Sequence, residues 1–352
     1  MKTFWSNCIR SLEPYRPGEQ PPIGQMIKLN TNENPYPPSP AVIDALQRTV
    51  NETLRLYPDP EGMVLKQTIA DIYDLTNDNV FLGNGSDEVL AHTFFGLLKH
   101  ELPILFPDVT YSFYPVYCAL YGIKFQTVPL DEDYQINVED YAQPNGGIVL
   151  ANPNAPTGSA NSVEHLRRLI DHSQGSVVVV DEAYVDFGAD SAIQLVKEFP
   201  NVLVVQTLSK SRSLAGLRVG FAIGDKGLIE ALNLVKNCFN SYPLDRLALA
   251  GAEAALRDKE YFEETRQQIM KSRDLLAEEL IALGFSVVPS KANFLFVQHA
   301  SCSASEIQQQ LRQKNIVVRH FPQPRIINFL RISIGTPEEC AELVRALREI
   351  LK

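Results

Sequence analysis

The chain has 352 residues, 45% of them hydrophobic and 21% charged, with a formal net charge of −10 at pH 7. That length suggests two domains with full cores, and the acidic balance excludes a broad nucleic-acid footprint. The five cysteines (Cys8, Cys118, Cys238, Cys302 and Cys340) are scattered and form no metal-ligand spacing, so free thiols, a reducing compartment and no bound metal are expected.

The N-terminus, Met1 to Asn7, has no apolar core of signal-peptide length. No stretch reaches the roughly 18 apolar residues of a membrane helix, so a cytoplasmic protein without a membrane partner is expected. Residues 1–40 hold Pro14, Pro17, Pro21, Pro22, Pro35, Pro37, Pro38 and Pro40. These rule out a regular helix and predict an extended arm that joins the smaller domain. From 41 to 244, helical patterns alternate with apolar runs. The runs are Val80–Leu82, Ile104–Phe106, Lys124–Val128, Ile148–Ala151, Val177–Val180, Val202–Val205 and Val219–Ile223. Several lack polar alternation, as strands buried on both faces do. The reading is an α/β large domain whose mainly parallel sheet is flanked by helices. From 245 to 352 a long charged helix precedes short strands near Ser286–Val288, Phe294–Val297, Ile316–Arg319 and Leu330–Ile334. Helices near Ala304–Lys314 and Pro337–Leu351 fill the gaps, which describes a smaller α/β domain.

Ligands of open α/β sheets bind beyond the carboxyl ends of the strands, so the residues after each run matter most. Val80–Leu82 leads into Gly83-Asn84-Gly85-Ser86-Asp87-Glu88 and then a helix. Ser86 or Asp87 can cap that helix, and the amides near Gly85 and Ser86 form an anion site. A plain capped turn is the simpler alternative. Ile148–Ala151 leads into the stiff polar turn Asn152-Pro153-Asn154-Ala155-Pro156-Thr157-Gly158. Val177–Val180 ends on Asp181-Glu182-Ala183-Tyr184, where Asp181 at low dielectric needs a cation or else caps a helix. Val202–Val205 ends on Gln206-Thr207-Leu208-Ser209-Lys210, with Arg218 following. Together these bring an anion site, a polar amide, a carboxylate and a lysine to one sheet edge. A phosphorylated aldehyde with a basic ring nitrogen needs that set. The lysine forms a Schiff base, the carboxylate keeps the ring nitrogen protonated, and the helix start with Arg218 holds the phosphate.

At this point the chain resembles the fold-type I aminotransferases that use pyridoxal 5'-phosphate, and among them the histidinol-phosphate branch. The carriers are Leu12-Glu13-Pro14-Tyr15, Leu29-Asn30-Thr31-Asn32-Glu33-Asn34-Pro35, Tyr57-Pro58-Asp59, Gly85-Ser86-Asp87-Glu88, Asp181-Glu182-Ala183-Tyr184, Thr207-Leu208-Ser209-Lys210, Ala215-Gly216-Leu217-Arg218 and Leu330-Arg331-Ile332-Ser333. The resemblance runs over nearly the whole chain.

It implies that Lys210 carries the cofactor, Asp181 pairs with the ring nitrogen and Tyr184 bonds the ring hydroxyl. Tyr111 would stack on the ring, where a plain core tyrosine is the alternative. Gly85, Ser86, Ser209 and Arg218 would bind the phosphate. Tyr57 would reach the phosphate of a neighbouring subunit's cofactor, implying a homodimer with shared active sites. Arg319 and Arg331, with Tyr15, would bind the anionic tail of the substrate. For Arg331, inside an apolar strand, a structural ion pair is the alternative. One departure stands out. The family turn carries an asparagine where this chain has Ala155, so either Asn154 takes over its bond to the ring hydroxyl or Tyr184 acts alone. The implied activity is transamination of L-histidinol phosphate, with 2-oxoglutarate as acceptor, in L-histidine biosynthesis. Its partners are then small amines and keto acids. An aromatic amino acid aminotransferase and a decarboxylase of a phosphorylated amino acid are the alternatives.

Overall fold

The computed structural model describes residues 4–10, 12–22 and 24–352. Met1 to Thr3, Ser11 and Ile23, which fall in the expected arm, lie outside the described residues. In chain order come β1 (Ile27–Leu29), α1 (Pro40–Thr49), α2 (Met63–Tyr73), β2 (Val80–Asn84), α3 (Gly85–Leu97), β3 (Ile104–Pro107) and α4 (Tyr114–Tyr121). Next are β4 (Phe125–Val128), β5 (Ile148–Ala151), α5 (Val163–His172), β6 (Val178–Asp181), β7 (Val202–Thr207), β8 (Val219–Gly224), α6 (Lys226–Phe239) and α7 (Arg246–Arg257). The chain closes with α8 (Lys259–Ala282), β9 (Phe285–Val288), β10 (Phe294–His299), α9 (Ala304–Gln313), β11 (Ile316–His320), β12 (Phe329–Ser333) and α10 (Pro337–Ile350).

The apolar runs build one sheet in the order β2-β8-β7-β6-β5-β3-β4. The pairs from β7 through β4 are parallel, as the βα alternation predicts. Only β8 runs the other way, antiparallel to both β2 and β7. The lack of polar alternation now has its reason, because both faces of the sheet are covered. Val178, Val180, Val202 and Val204 point into a core shared with α1, α2, α5 and α7. Val179, Leu203 and Val205 point the opposite way, against α3, α4 and α6. Side chains alternate across a strand, so two buried faces demand apolar residues at every position.

A second sheet has the order β1-β11-β12-β10-β9. The arm contributes β1, which pairs parallel with β11; the other pairs are antiparallel. Helices α8, α9 and α10 cover it through Ile269, Leu276, Leu280, Ile307, Leu311, Leu343 and Leu347. At the start of α10, Thr336 and Glu339 form a reciprocal capping box with Pro337 in the first turn. Helix α7 lies beyond residue 245, yet Ala248, Ala252, Ala255 and Leu256 pack into the core of the large sheet. The packing therefore changes sheets near Asp258. Among the described residues, no helix is long and apolar enough to cross a membrane.

Candidate active site

The parallel strands β5, β6 and β7 end side by side, with Ala151 opposite Asp181 and Asp181 opposite Val205. Their carboxyl ends open into a cleft between the two sheets. Tyr15, Ser86, Tyr111, Asp181, Tyr184, Ser209, Lys210, Arg218, Arg319 and Arg331 all line it. The cleft encloses about 1040 Å³ including its open mouth, room for a cofactor and a small substrate together.

Lys210 follows the end of β7. Its Nζ donates to the carbonyl of Thr31 at 3.1 Å and sits 5.8 Å from the Tyr184 ring centroid. The arm fixes the lysine's loop, because Asn34 Nδ2 donates to the carbonyls of Lys210 and Ser211 at 3.1 and 3.2 Å. Asp181 is 5% exposed. One of its oxygens accepts from Tyr114 Oη at 2.9 Å and the other from the Ala183 amide at 3.3 Å. Burial pushes its carboxyl up to about 6, against the pull of those hydrogen bonds. Among the described residues no cation pairs with it, which a buried carboxylate at a cleft floor calls for. Glu182 next to it is also pushed up by burial, to about 7. Its oxygens, however, are taken by Ser191 Oγ, the Ala192 amide and Gln206 Nε2. Asp181 lines the cleft, while Glu182 fastens a loop.

At one end of the cleft stands the N-terminus of α3, whose first amides a helix leaves without internal partners. Ser86 and Asp87 do not cap it, contrary to one expectation. The helix begins at Gly85, and the Glu88 carboxylate accepts the Asn84 amide at 2.6 Å. The turn is tight enough to place Ser86 and Asp87 inside the first helical turn. Asp87 instead pairs with Arg218 Nη2 at 2.9 Å and accepts from Tyr111 Oη at 3.1 Å. Gly85 has φ +80°, and a Cβ there would lie 2.5 Å from Arg218 Nη2, so only glycine lets the guanidinium reach the helix start. Arg218 is itself left-handed at φ +55°, a conformation a non-glycine residue holds only under constraint. Ser209 completes this end, its Oγ bonded to Thr207 Oγ1 at 3.0 Å.

At the other end, Arg319 on β11 and Arg331 on β12 are direct cross-strand partners. Arg331 Nη2 donates to the Asn30 carbonyl at 3.0 Å, while its buried Nε has no hydrogen-bond partner. Burial lowers the pKa of this guanidinium, and neighbouring Arg319 adds to that. Among the described residues neither arginine has a carboxylate partner, so the structural ion pair considered for Arg331 is not what holds it. Arg319 Nη2 donates to the Arg16 carbonyl at 3.1 Å. Tyr15 stacks on Phe113 with ring centroids 4.8 Å apart and stands 6.2 Å from the Tyr111 ring.

Of the expected residues, Gly85 and Asn154 do not line the cleft, and neither does Tyr57, which the resemblance assigns to a neighbouring subunit's site. Asn154 is 6% exposed and its amide is fully engaged. It accepts from Thr110 Oγ1 at 2.8 Å and donates to the Val109 carbonyl and Thr157 Oγ1 at 2.9 and 3.0 Å. Its side chain is thus turned to Thr157 and to the Val109–Thr110 segment rather than to the cleft, where Ala155 and Pro153 form the wall. Tyr57 is 78% exposed and stacks on Tyr242 at 4.6 Å, away from this subunit's cleft. Other contributors went unassigned in the sequence. Asn32, left-handed at φ +57°, donates to Tyr184 Oη at 3.0 Å. Tyr114, Glu33, Thr207 and the Asn30 and Thr31 carbonyls are others. The arm motif that holds Asn30, Thr31 and Asn32 was visible as a motif; nothing in the sequence marked Tyr114.

The family described as aminotransferase class I and II matches residues 24–347. The chain is 57% identical to histidinol-phosphate aminotransferase 1 of Pseudomonas fluorescens over 350 residues, covering 99% of this chain and all of the relative. It is 58% identical to histidinol-phosphate aminotransferase 1 of Pseudomonas aeruginosa over 347 residues, covering 99% of each. Among solved structures it resembles the histidinol-phosphate aminotransferase of Sinorhizobium meliloti in complex with pyridoxal-5'-phosphate, with a TM-score of 0.85 and 27% identity, covering 92% of this chain and 90% of that one.

Proposed function

Since the chain belongs to the class I and II aminotransferases, and within them to the histidinol-phosphate aminotransferases, we infer that it moves the amino group of L-histidinol phosphate to 2-oxoglutarate in histidine biosynthesis, using pyridoxal 5'-phosphate. The observation that carries this reading is one cleft holding Lys210 and the uncompensated Asp181 between two anion-seeking ends.

The residues fit the cofactor. A buried carboxylate without a cation, an arginine at a helix N-terminus and a lysine in the same cleft match a basic ring, a phosphate and an aldehyde. When bound, pyridoxal 5'-phosphate supplies that aldehyde and a ring that withdraws electrons from the substrate carbon. Lys210 would hold the cofactor covalently. The Lys210 amine, once free, would take the proton from the substrate's amine-bearing carbon and hold it for return, serving as general base and then as general acid. Asp181 would keep the ring nitrogen protonated, and the new cation would draw its carboxyl back toward the ordinary range. Tyr184, held by Asn32, would bond the ring hydroxyl alone. Tyr111 would cover the ring face. Gly85, Ser86, Ser209 and Arg218 would hold the phosphate, with Arg218 turning from Asp87 toward it. Arg319, Arg331 and Tyr15 would receive the substrate's anionic tail.

The same reading makes the protein a cytoplasmic homodimer. Exposed Leu54, Leu56, Tyr57, Met63, Val64 and Phe239 support a second copy on that face, where Tyr57 would reach the neighbour's cofactor phosphate. We also propose an arm of 1–40, a large domain of 41–257 and a small domain of 258–352, moving the earlier boundary so that α7 stays with its packing partners. A two-step spectroscopic titration tests the function. The visible band of the lysine-bound cofactor should bleach on adding L-histidinol phosphate and return on adding 2-oxoglutarate. A band indifferent to both would contradict the assignment.

A further inference from the structure

The connection from β11 to β12 leaves one sheet and docks on the other. Strand β11 ends just after Arg319, and β12 begins just before Arg331. Between them Ile326, 1% exposed, packs into the core of the large sheet. Arg325 beside it donates Nη1 to Asp108 Oδ2 at 2.5 Å and Nη2 to the Asp131 carbonyl at 2.8 Å and the Leu130 carbonyl. One guanidinium thus grips three acceptors, a fork geometry that no lysine reproduces. Asp108 is tied to the segment that follows β4, since its Oδ1 accepts the Leu130 amide at 3.0 Å.

The large-sheet side of this contact reaches back as well. Tyr134 sits at φ +59°, a strained conformation for a bulky residue. Its ring meets Phe296 and Phe329 edge-on at 5.9 and 5.4 Å. Phe296 is the cross-strand partner of Arg331, and it stacks on Phe329 at 4.4 Å. Three residues after Asp108 comes Tyr111, which forms the cleft wall beside Lys210.

We propose that Arg325 is a positioning residue: it latches the strand connection carrying Arg319 and Arg331 to the Asp108–Tyr111 segment, and so holds the arginine pair in place at the anion end of the cleft. The proposal rests on the reading that those two arginines receive the substrate's anion. The latch touches neither cofactor nor substrate. It acts because the two arginines bind an anion well only where the strand connection holds them, so a connection that drifts weakens the hold on a substrate's tail and on free phosphate alike, a loss of uniform binding.

The test uses the purified holoenzyme and two probes, L-histidinol phosphate as substrate and inorganic phosphate as competitive inhibitor. Arg325→Met should raise KM for histidinol phosphate about tenfold and weaken phosphate inhibition similarly, with kcat within about twofold. The visible band of the lysine-bound cofactor should be unchanged, and Arg325→Lys should recover only part of the loss. In an Arg319→Ala background, Arg325→Met should add less than about twofold, because both act through one anion site. If Arg325→Met does not yield folded protein, Asp108→Asn, which weakens the same contact, carries the same test. A full tenfold loss persisting in the Arg319→Ala background would mean a general tether and overturn the proposal. Arg319→Ala alone separates the two ideas. If it leaves KM and phosphate inhibition unchanged, the anion assignment fails and the latch with it. If it weakens both while the Arg325 and Asp108 variants do not, the latch alone fails.

Discussion

Arg319 and Arg331 face each other directly across β11 and β12, like charges at a spacing that destabilises a sheet unless something neutral or anionic lies between them. No carboxylate does so among the described residues, and the buried Nε of Arg331 is left without a partner. The proposed function makes the pair one half of an ion pair whose other half is a ligand.

Inorganic phosphate should therefore stabilise the cofactor-free protein. A rise in melting temperature that saturates with phosphate is expected, by simple mass action on the folded state. Phosphate can also bind at the α3 end, so the comparison must be made in Arg319→Ala, where part of the rise should vanish. An identical rise in both proteins would place all the binding elsewhere.

Lys210→Ala should abolish the visible band of the lysine-bound cofactor and nearly all turnover, while some cofactor still binds through its phosphate. Among the described residues its Nζ makes one hydrogen bond, to the Thr31 carbonyl at 3.1 Å, and stands over the Tyr184 ring at 5.8 Å, so little folding energy depends on it. Absorbance spectra and single-turnover rates measure this. Near-normal turnover would remove the basis of the assignment.

Asp181 gives a pH-dependent prediction. In the cofactor-free fold its carboxyl stands at about 6 because burial disfavours the charge, above the roughly 3.9 of an unfolded chain. Between those values the folded state binds more protons than the unfolded state. Stability attributable to Asp181 is thus present below pH 4 and is lost as pH rises toward 6. In urea denaturation of cofactor-free protein, Asp181→Asn should gain on the unmodified protein across that window, yet lose most of kcat when loaded. A constant stability difference from pH 4 to 7 would contradict the burial argument.

Much of this site was legible because chemistry follows strand ends. Asp181 and Lys210 stood out as polar residues closing apolar runs, and parallel strands carry such residues to one edge. The reversed direction of β8 was not legible, since an apolar run reads the same either way. The alanine-rich α7 carries no mark of which core it joins, so its packing with the large sheet was not legible. The turn after β5 offered asparagines but not their orientation. Asn152 and Asn154 both turn to loop partners, Asn152 accepting the Asn161 amide at 2.7 Å and Asn154 holding Thr110. The Tyr114 to Asp181 bond spans 67 residues, and no local pattern encodes such a contact.

Tyr57 tests the shared site. Tyr57→Phe should weaken cofactor retention, since a hydrogen bond to a charged group is worth about 1.5–3 kcal/mol. Mixing Tyr57→Phe subunits with Lys210→Ala subunits should then yield hybrids with one site carrying both defects and one carrying neither. Cofactor retention and activity of isolated hybrids read this out. Hybrids with no intact site would mean that Tyr57 serves its own subunit.

The central claim is that the cleft selects a phosphate-tailed amine, and the specificity constant measures it most directly. On the proposed function, Arg319, Arg331 and Tyr15 would receive an anion of charge about −1.5 to −2, beyond what a single carboxylate supplies. These groups are half-buried, and a site built to bind an anion leaves them poorly paired when the phosphate is missing, which penalises the wrong ligand by orders of magnitude. The measurement is kcat/KM for L-histidinol phosphate, histidinol, phenylalanine, tyrosine and threonine phosphate on one enzyme preparation. The expected result is histidinol phosphate ahead of every other amine by at least about a hundredfold, with Arg319→Ala shrinking that margin. Equal or better turnover of phenylalanine or tyrosine would contradict it.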